Sequence, residues 1–199
     1  MYTLHNIAVT WTTKLNTYTK KEGIELQKMI LGMEILLHNI PKLILMVAIS
    51  AALGVLPHTL IMWMSFAFIR SYASGLHAGD SITCTILTLL MFVAVPYMLQ
   101  DTYFNEVLFV LTFAVVALGL YKYAPADTES RPILGKAKRD RLKRQAVLSS
   151  VTILIIALAF FDEVYYGIIT LGTVYALMAI LPITYKILKR RMNNYEEYE

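Results

Sequence analysis

Long apolar runs separated by short polar breaks dominate the chain, with apolar residues filling about 43–69, 82–99, 107–121, 146–161 and 165–185. A helix needs roughly 20 mainly apolar residues to cross a bilayer. The first run is too long for one ordinary span and is interrupted by the helix-breaking pair Pro57-His58. Splitting it there predicts six spans, over 39–56, 58–74, 82–99, 104–121, 146–162 and 165–186. Ahead of them Leu4, Ala8, Trp11, Leu15 and Tyr18 recur at helical spacing opposite Asn6, Thr10, Lys14 and Asn16. Residues 1–30 therefore read as an amphipathic region rather than a cleaved signal, its stripe suited either to the membrane interface or to packing on the rest of the protein.

Composition agrees with the pattern. Of 199 residues, 57% are hydrophobic and 16% are charged, against about 25% charged in average globular chains. The expected fold is all-α, one integral membrane domain over 1–199 with no soluble domain and no internal repeat. The net charge of +4 would otherwise suggest nucleic acid, but basic residues in a membrane protein report topology first, so none is expected as a partner. With the N-terminus inside, the outer connections Pro57-His58, 100–106 and 162–164 contain no Lys or Arg, and all 18 basic residues fall on the inner side. Both termini, the loop at 71–81 and the basic loop at 122–145 are then expected to face the cytoplasm. The basic loop reads as a topology anchor or as a dock for an acidic partner segment or anionic lipid.

One short polar stretch carries candidate chemistry: "SYASGLHAGDSITC", residues 71–84, which ends on the only cysteine in the chain. A single thiol excludes an internal disulfide, and the absence of CxxC and HExxH leaves no metal site or cofactor expected. Asp80-Ser81 before an apolar run is an N-cap signal. With Ser81 as the cap, Cys84 is the third helical residue, in the first turn, where unpaired N–H groups and the helix dipole stabilise a thiolate. His77 is a candidate base. Seven residues along one continuous helix are about 10 Å apart, so the pair can meet only if the chain turns, as Gly79 permits. Asp80 either orients His77 or opposes a thiolate by its charge. Arg70 either binds a substrate carboxylate, stabilises the anionic thiol or anchors topology. The bland readings are a packing cysteine and an interfacial histidine.

The string "IRSYASGLHAGDSITC", followed by "YAPADTESRPI" and a basic approach to the next apolar run, resembles the accessory gene regulator protein B family, AgrB-type membrane peptidases of Gram-positive quorum sensing. The likeness runs from about residue 31 to the end of the fifth predicted span. It implies a cysteine endopeptidase with Cys84 as nucleophile, His77 as base, and Arg70 and Gly75 in support; Asp80 and Ser81 are supporting candidates on the cap reading above. It departs from the family at Ser74, where members often carry glycine. The implied substrate is an AgrD-like precursor peptide whose C-terminal tail is cleaved through an acyl-enzyme thioester that a substrate cysteine then attacks to give a thiolactone. Exchange of one thioester for another roughly conserves bond energy. Lys136, Lys138, Arg139, Arg141, Lys143 and Arg144 are the expected dock for the acidic tail, and a homodimer is implied as well. The competing reading is a membrane exporter of a small peptide with no proteolytic activity.

Overall fold

The computed structural model describes residues 2–76, 81–100, 102–129 and 132–198. The chain divides into two units, Met1–Ile49 and Ser50–Glu199.

The first unit contains helix α1 (Tyr2–Thr19) and most of α2 (Gly23–Ala52). Asn16, on the polar face of the sequence stripe, closes the turn between them. Its Nδ2 donates to Lys21 O at 2.8 Å, and its Oδ1 accepts from Lys21 N at 2.7 Å and from Thr19 Oγ1 at 3.0 Å. The side chain thus replaces backbone partners that the helix end has lost. His5 Nδ1 meets a Glu34 carboxylate oxygen across the pair. Trp11, Leu15 and Tyr18 are exposed, an apolar stripe of the kind a membrane surface accepts. The 30-residue α2 runs straight through Pro41. It is roughly 45 Å long, so its polar N-terminal turns extend a span predicted to begin only at residue 39.

In the second unit, α2 ends on Gly54 at φ +74°, with Val55 N bonded to Ser50 O at 2.9 Å. The connection is therefore Leu53–Val55 rather than Pro57-His58. Pro57 lies in the first turn of α3 (Leu56–Ala73), where a missing amide costs nothing and the fixed φ starts a helix. Helix α4 (Ser81–Leu99) carries a π-helical turn, Leu90–Ala94, just before Pro96. The wider turn lets Val95 N reach Leu90 O and relieves the clash a proline ring makes in a regular helix. Helix α5 (Glu106–Tyr123) is capped by Asn105, whose side chain accepts from the amides of Val107 and Leu108. Helix α6 (Lys136–Phe160) and α7 (Glu163–Met178) follow. The apolar run predicted as one span over 165–186 is broken after Met178. Pro182 opens a separate short helix, α8 (Pro182–Ile187), because it lacks the amide needed to continue α7.

Side-chain pairs set the helix directions. His58 stacks on Tyr165 at 5.1 Å at the start of α3 and α7, and Leu76 N bonds Ala179 O just past their ends, so the two run parallel. Helix α5 runs with them, since Phe104 N bonds Glu163 O, Phe109 stacks on Tyr166 at 4.3 Å, and Gly119 abuts Leu177. Helix α6 runs against them, starting where Lys143 covers the Tyr121 ring and finishing where Phe161 meets Tyr165. Phe92 of α4 lies between Phe66 and Tyr175. The core holds Ile69, Phe109, Phe113, Val116, Leu120 and Ile169. On α5, Leu111, Val115 and Leu118 point outward and are exposed, the lipid-side counterpart of the buried Phe109, Phe113 and Val116.

Among the described residues, four helices are long and apolar enough to cross a membrane: α2, α4, α5 and α6. The predicted spans over α3 and α7 correspond to real helices of 18 and 16 residues, but less apolar or shorter ones. Both bury small and hydroxyl side chains against each other, including Thr59, Ser65, Thr170, Gly172 and Thr173. Helices packed inside a membrane bundle use such residues for close approach. Within this unit, the end where α3, α5 and α7 finish holds Arg70, Lys122, Lys136–Arg144 and Lys186–Arg191, while the opposite connections carry no Lys or Arg among the described residues.

The closest helix approach sets a test. A Cβ at Gly172 would lie 2.5 Å from the Met62 carbonyl oxygen, a backbone atom that cannot turn aside. Gly172→Ala should destabilise the protein by about 1–3 kcal/mol, read as a lower midpoint of thermal unfolding in detergent. Gly54→Ala, with open space around it, should cost only the strain of its positive φ and leave the α3–α7 contact unchanged.

Candidate active site

The polar stretch after α3 begins as a backbone junction. Ser74 N closes the helix on Arg70 O at 3.0 Å. Gly75 N then donates to Ala126 O at 2.8 Å, Ala126 N donates to Ala73 O at 3.0 Å, and Leu76 N donates to Ala179 O at 3.0 Å. Three chain segments that end α3, α5 and α7 therefore share one set of hydrogen bonds, and Ser74 and Ala126 form an isolated parallel β-bridge. Two of the acceptors, Ala73 O and Ala179 O, belong to helix ends that would otherwise leave them unpaired.

Two residues bear the geometry. Gly75 has φ +107°, and a Cβ there would meet Ala179 O at 2.7 Å and Ile180 Cγ2 at 2.9 Å, so both conformation and space require glycine. Ser74 has φ 57° and ψ −135°, the conformation of the first central residue of a type II′ turn, which glycine favours. The serine that departs from the family pattern stands in a glycine conformation.

Arg70, in the last turn of α3, is part-buried and donates through one Nη to the carbonyls of both Gly75 (3.3 Å) and Leu76. Its guanidinium also lies over the Phe66 ring at 5.3 Å and interacts electrostatically with Cys84 and Tyr185. Cys84 is part-buried and free. Helix α4 begins at Ser81 itself, one residue earlier than a Ser81 cap implies, which is within the ordinary spread of helix boundaries. Cys84 is then the fourth helical residue and still in the first turn. Thr85 and Thr88 return their hydroxyls to Ser81 O and Cys84 O, leaving the sulfur without competition from them. His77 and Asp80 lie outside the described residues. Among the described residues, Arg70 is hydrogen-bonded to Gly75 and within electrostatic range of Cys84, with Ser81 exposed at the start of the cysteine's helix.

Beneath the junction sits a residue that the motif search did not single out. Asp127 is 3% exposed. Its Oδ1 accepts from Asn194 N (3.0 Å) and Asn194 Nδ2 (3.3 Å), its Oδ2 accepts from Tyr195 N (2.9 Å), and its backbone carbonyl accepts from Tyr185 Oη (2.7 Å). Tyr185 belongs to α8, and Asn194–Glu197 is a 3₁₀ turn near the end of the chain. The available signal was one aspartate directly after the prolyl turn of "YAPAD", in a segment otherwise rich in basic residues.

The six basic dock residues occupy the first turns of α6, so the segment read as a loop over 122–145 is helical from Lys136 onward. They do not share one face. Arg139 donates to Ile133 O at 3.1 Å and covers the Tyr195 ring at 3.9 Å, and Lys143 covers Tyr121. Lys136, Lys138, Arg141 and Arg144 are exposed. Arg141 and Arg144, with Ala137, Asp140 and Gln145, line a cleft of about 470 Å³.

The model of the accessory gene regulator B family matches residues 8–181. The chain is 43% identical over 196 residues to a putative AgrB-like protein of Clostridium acetobutylicum, covering 98% of this chain and 94% of that one. It is 39% identical over 168 residues to a putative AgrB-like protein of Listeria welshimeri, covering 84% and 82%. It is 34% identical over 176 residues to the accessory gene regulator protein B of Staphylococcus aureus, covering 88% and 92%. No solved structure matches.

The two junction residues predict opposite outcomes. Ser74→Gly relieves a strain of about 1–3 kcal/mol, offset by about 0.5–1 kcal/mol of added backbone entropy in the unfolded chain, so thermal stability should be unchanged or higher. Gly75→Ala should lower it sharply. A Ser74→Gly protein that unfolds earlier than the parent would contradict the assigned backbone.

Proposed function

Because the chain belongs to the accessory gene regulator B family, we propose that it is a membrane cysteine endopeptidase that processes an AgrD-like precursor peptide at the cytoplasmic face. The observation that carries the reading is the double role of Arg70. One guanidinium holds the Leu76 carbonyl, which is half of the peptide bond to His77, and also interacts with Cys84. The backbone that leads into the base and the helix that carries the thiol thus share one cation.

The chemistry follows from these positions. His77 accepts the Cys84 proton, and the thiolate attacks the carbonyl carbon of the bond preceding the precursor's C-terminal tail. The tetrahedral intermediate collapses with cleavage of the C–N bond. The imidazolium gives its proton to the departing amine, and the remaining peptide stays on Cys84 as a thioester. A cysteine thiol of the precursor then attacks that thioester, its proton passing to His77, and Cys84 leaves as the free thiol when the thiolactone closes. Holding the second nucleophile beside the thioester can lower its barrier by up to about 7–11 kcal/mol relative to a bimolecular reaction. A site at the rim of the bundle also limits competing hydrolysis.

The precursor's acidic tail is read by the open part of the basic face, Arg141 and Arg144 with Lys136 and Lys138. Arg139 and Lys143 are engaged by tyrosine rings and act in the fold. Clustering of the basic residues at the junction end of the second unit supports placing that end in the cytoplasm.

Cleavage of a precursor peptide by the purified protein in vesicles tests the reading. The parent should release the tail, and Cys84→Ala and His77→Ala should lose it by at least about 10³-fold. Tail release by either variant, or transport of uncleaved peptide as the sole activity of the parent, would replace the peptidase with an exporter. Separately, Arg141→Glu with Arg144→Glu should raise KM about 3- to 10-fold at low salt with little change in kcat, and the difference should shrink as salt is added. Equal KM values at low salt would remove the docking assignment.

A further inference from the structure

We infer that Asp127 is a positioning residue for the peptidase and that the C-terminal 3₁₀ turn, Asn194–Glu197, is the part of the chain it positions against. The inference rests on the peptidase reading and extends it to a segment far from the thiol in sequence.

Hydrogen bonds and one electrostatic interaction form a closed circuit. Arg70 holds the Gly75 and Leu76 carbonyls. Gly75 N is bonded to Ala126 O, whose residue in turn donates to Ala73 O. Asp127, the next residue, accepts the Tyr185 hydroxyl on its backbone carbonyl, and Tyr185 interacts electrostatically with Arg70. The Asp127 carboxylate extends outward from this ring to the amides of Asn194 and Tyr195. Arg139 of α6 covers the ring of the same Tyr195, and Glu129 receives Arg191 N at 3.3 Å and the Arg190 guanidinium at 3.6 Å. The last turn of the chain therefore ties the 124–129 segment to α6 and α8 at once.

A buried carboxylate costs several kcal/mol of desolvation unless its oxygens are occupied. Three N–H donors from one short turn supply the partners for Asp127, so carboxylate and turn depend on each other. If the turn comes away, Asp127 must leave its site. Ala126, one residue back, loses its register against Ala73 and Gly75. The displacement reaches the chain two residues before His77, while Cys84 sits on α4, which is held by the packing of Phe92 against Phe66 and Tyr175. The base is thus moved relative to the thiol, and the predicted loss falls on the chemical step rather than on substrate binding.

Two substitutions break the same bond from opposite sides. Asp127→Asn puts an amide donor where Tyr195 N–H needs an acceptor. Tyr195→Pro removes that N–H, together with the ring that Arg139 covers, at a position in the 3₁₀ turn where proline's φ is tolerated; Arg139→Gln, which loses the ring contact and leaves that N–H in place, should keep kcat. In precursor cleavage by the full-length protein in vesicles, Asp127→Asn and Tyr195→Pro should each lower kcat at least 10-fold with KM within 2-fold. The double variant should be no slower than the slower single, because both remove one interaction. Cys84, the only thiol, supplies the second readout: each variant should change the pH dependence of its alkylation rate in the same way, because both displace the base that the proposed mechanism pairs with it. Asp127→Glu should recover part of kcat.

Full kcat in both singles, or multiplied losses in the double with an unchanged alkylation profile, would overturn the inference and leave the turn a stabilising contact only. The parent protein separates this from the underlying reading. If it does not cleave, the peptidase assignment fails. If it cleaves in a Cys84-dependent way and the two singles keep its kcat, only the role of Asp127 fails.

Discussion

Four backbone hydrogen bonds at the end of the second unit's bundle hold the rest together. They join Ser74 to Arg70, Gly75 and Ala73 to Ala126, and Leu76 to Ala179. Three parallel helices, α3, α5 and α7, finish side by side, and each would leave carbonyls unpaired at its last turn. The junction lets the segments that follow them satisfy one another, at the price of glycine at 75 and a glycine-like conformation at 74. Everything downstream inherits that constraint. Arg70 can hold the Gly75 and Leu76 carbonyls only because the chain turns back over the end of its own helix, and the same guanidinium lies within electrostatic range of Cys84.

The lone thiol sits in the first turn of an apolar helix, and α4 is fixed by Phe92 wedged between Phe66 of α3 and Tyr175 of α7. The π-turn before Pro96 belongs to the same account. It contains the wedge residue Phe92 and leaves the first two turns of the helix regular. Thiol and junction are therefore carried by different elements, the first by aromatic packing and the second by backbone bonds, with Arg70 as their common neighbour.

Much of this was legible in the sequence, for identifiable reasons. The all-α character, the N-terminal helix and the runs that became α4 and α5 follow from apolar length, which lipid contact enforces. The stretch 71–84 stood out because glycine, imidazole and thiol are uncommon together in so apolar a chain. Helices α3 and α7 were read as spans over 58–74 and 165–186, and a helix lies in each; what hydropathy did not show is that threonine, serine and glycine pack the two against each other. The break at Ala179–Leu181 was hidden inside a continuous apolar run, although Pro182 marked it. The helical start of α6 was concealed by its charges, because a basic segment reads as a loop until Tyr121 and Tyr195 are seen receiving Lys143 and Arg139. Asp127 was invisible as a site residue because its partners lie some 67 positions away in sequence, and no local spacing encodes that.

The central claim is that the junction delivers residue 77 to the sulfur of Cys84. With one native thiol in the chain, His77→Cys creates a single possible intramolecular pair, and a disulfide forms only when the two Cα atoms come within about 7 Å. Mild oxidation of this variant in detergent, followed by mass measurement of the alkylated monomer, is the most direct measurement. The account predicts a monomeric disulfide and no thiol left to alkylate. Two alkylated thiols in a folded monomer after the same oxidation would contradict it.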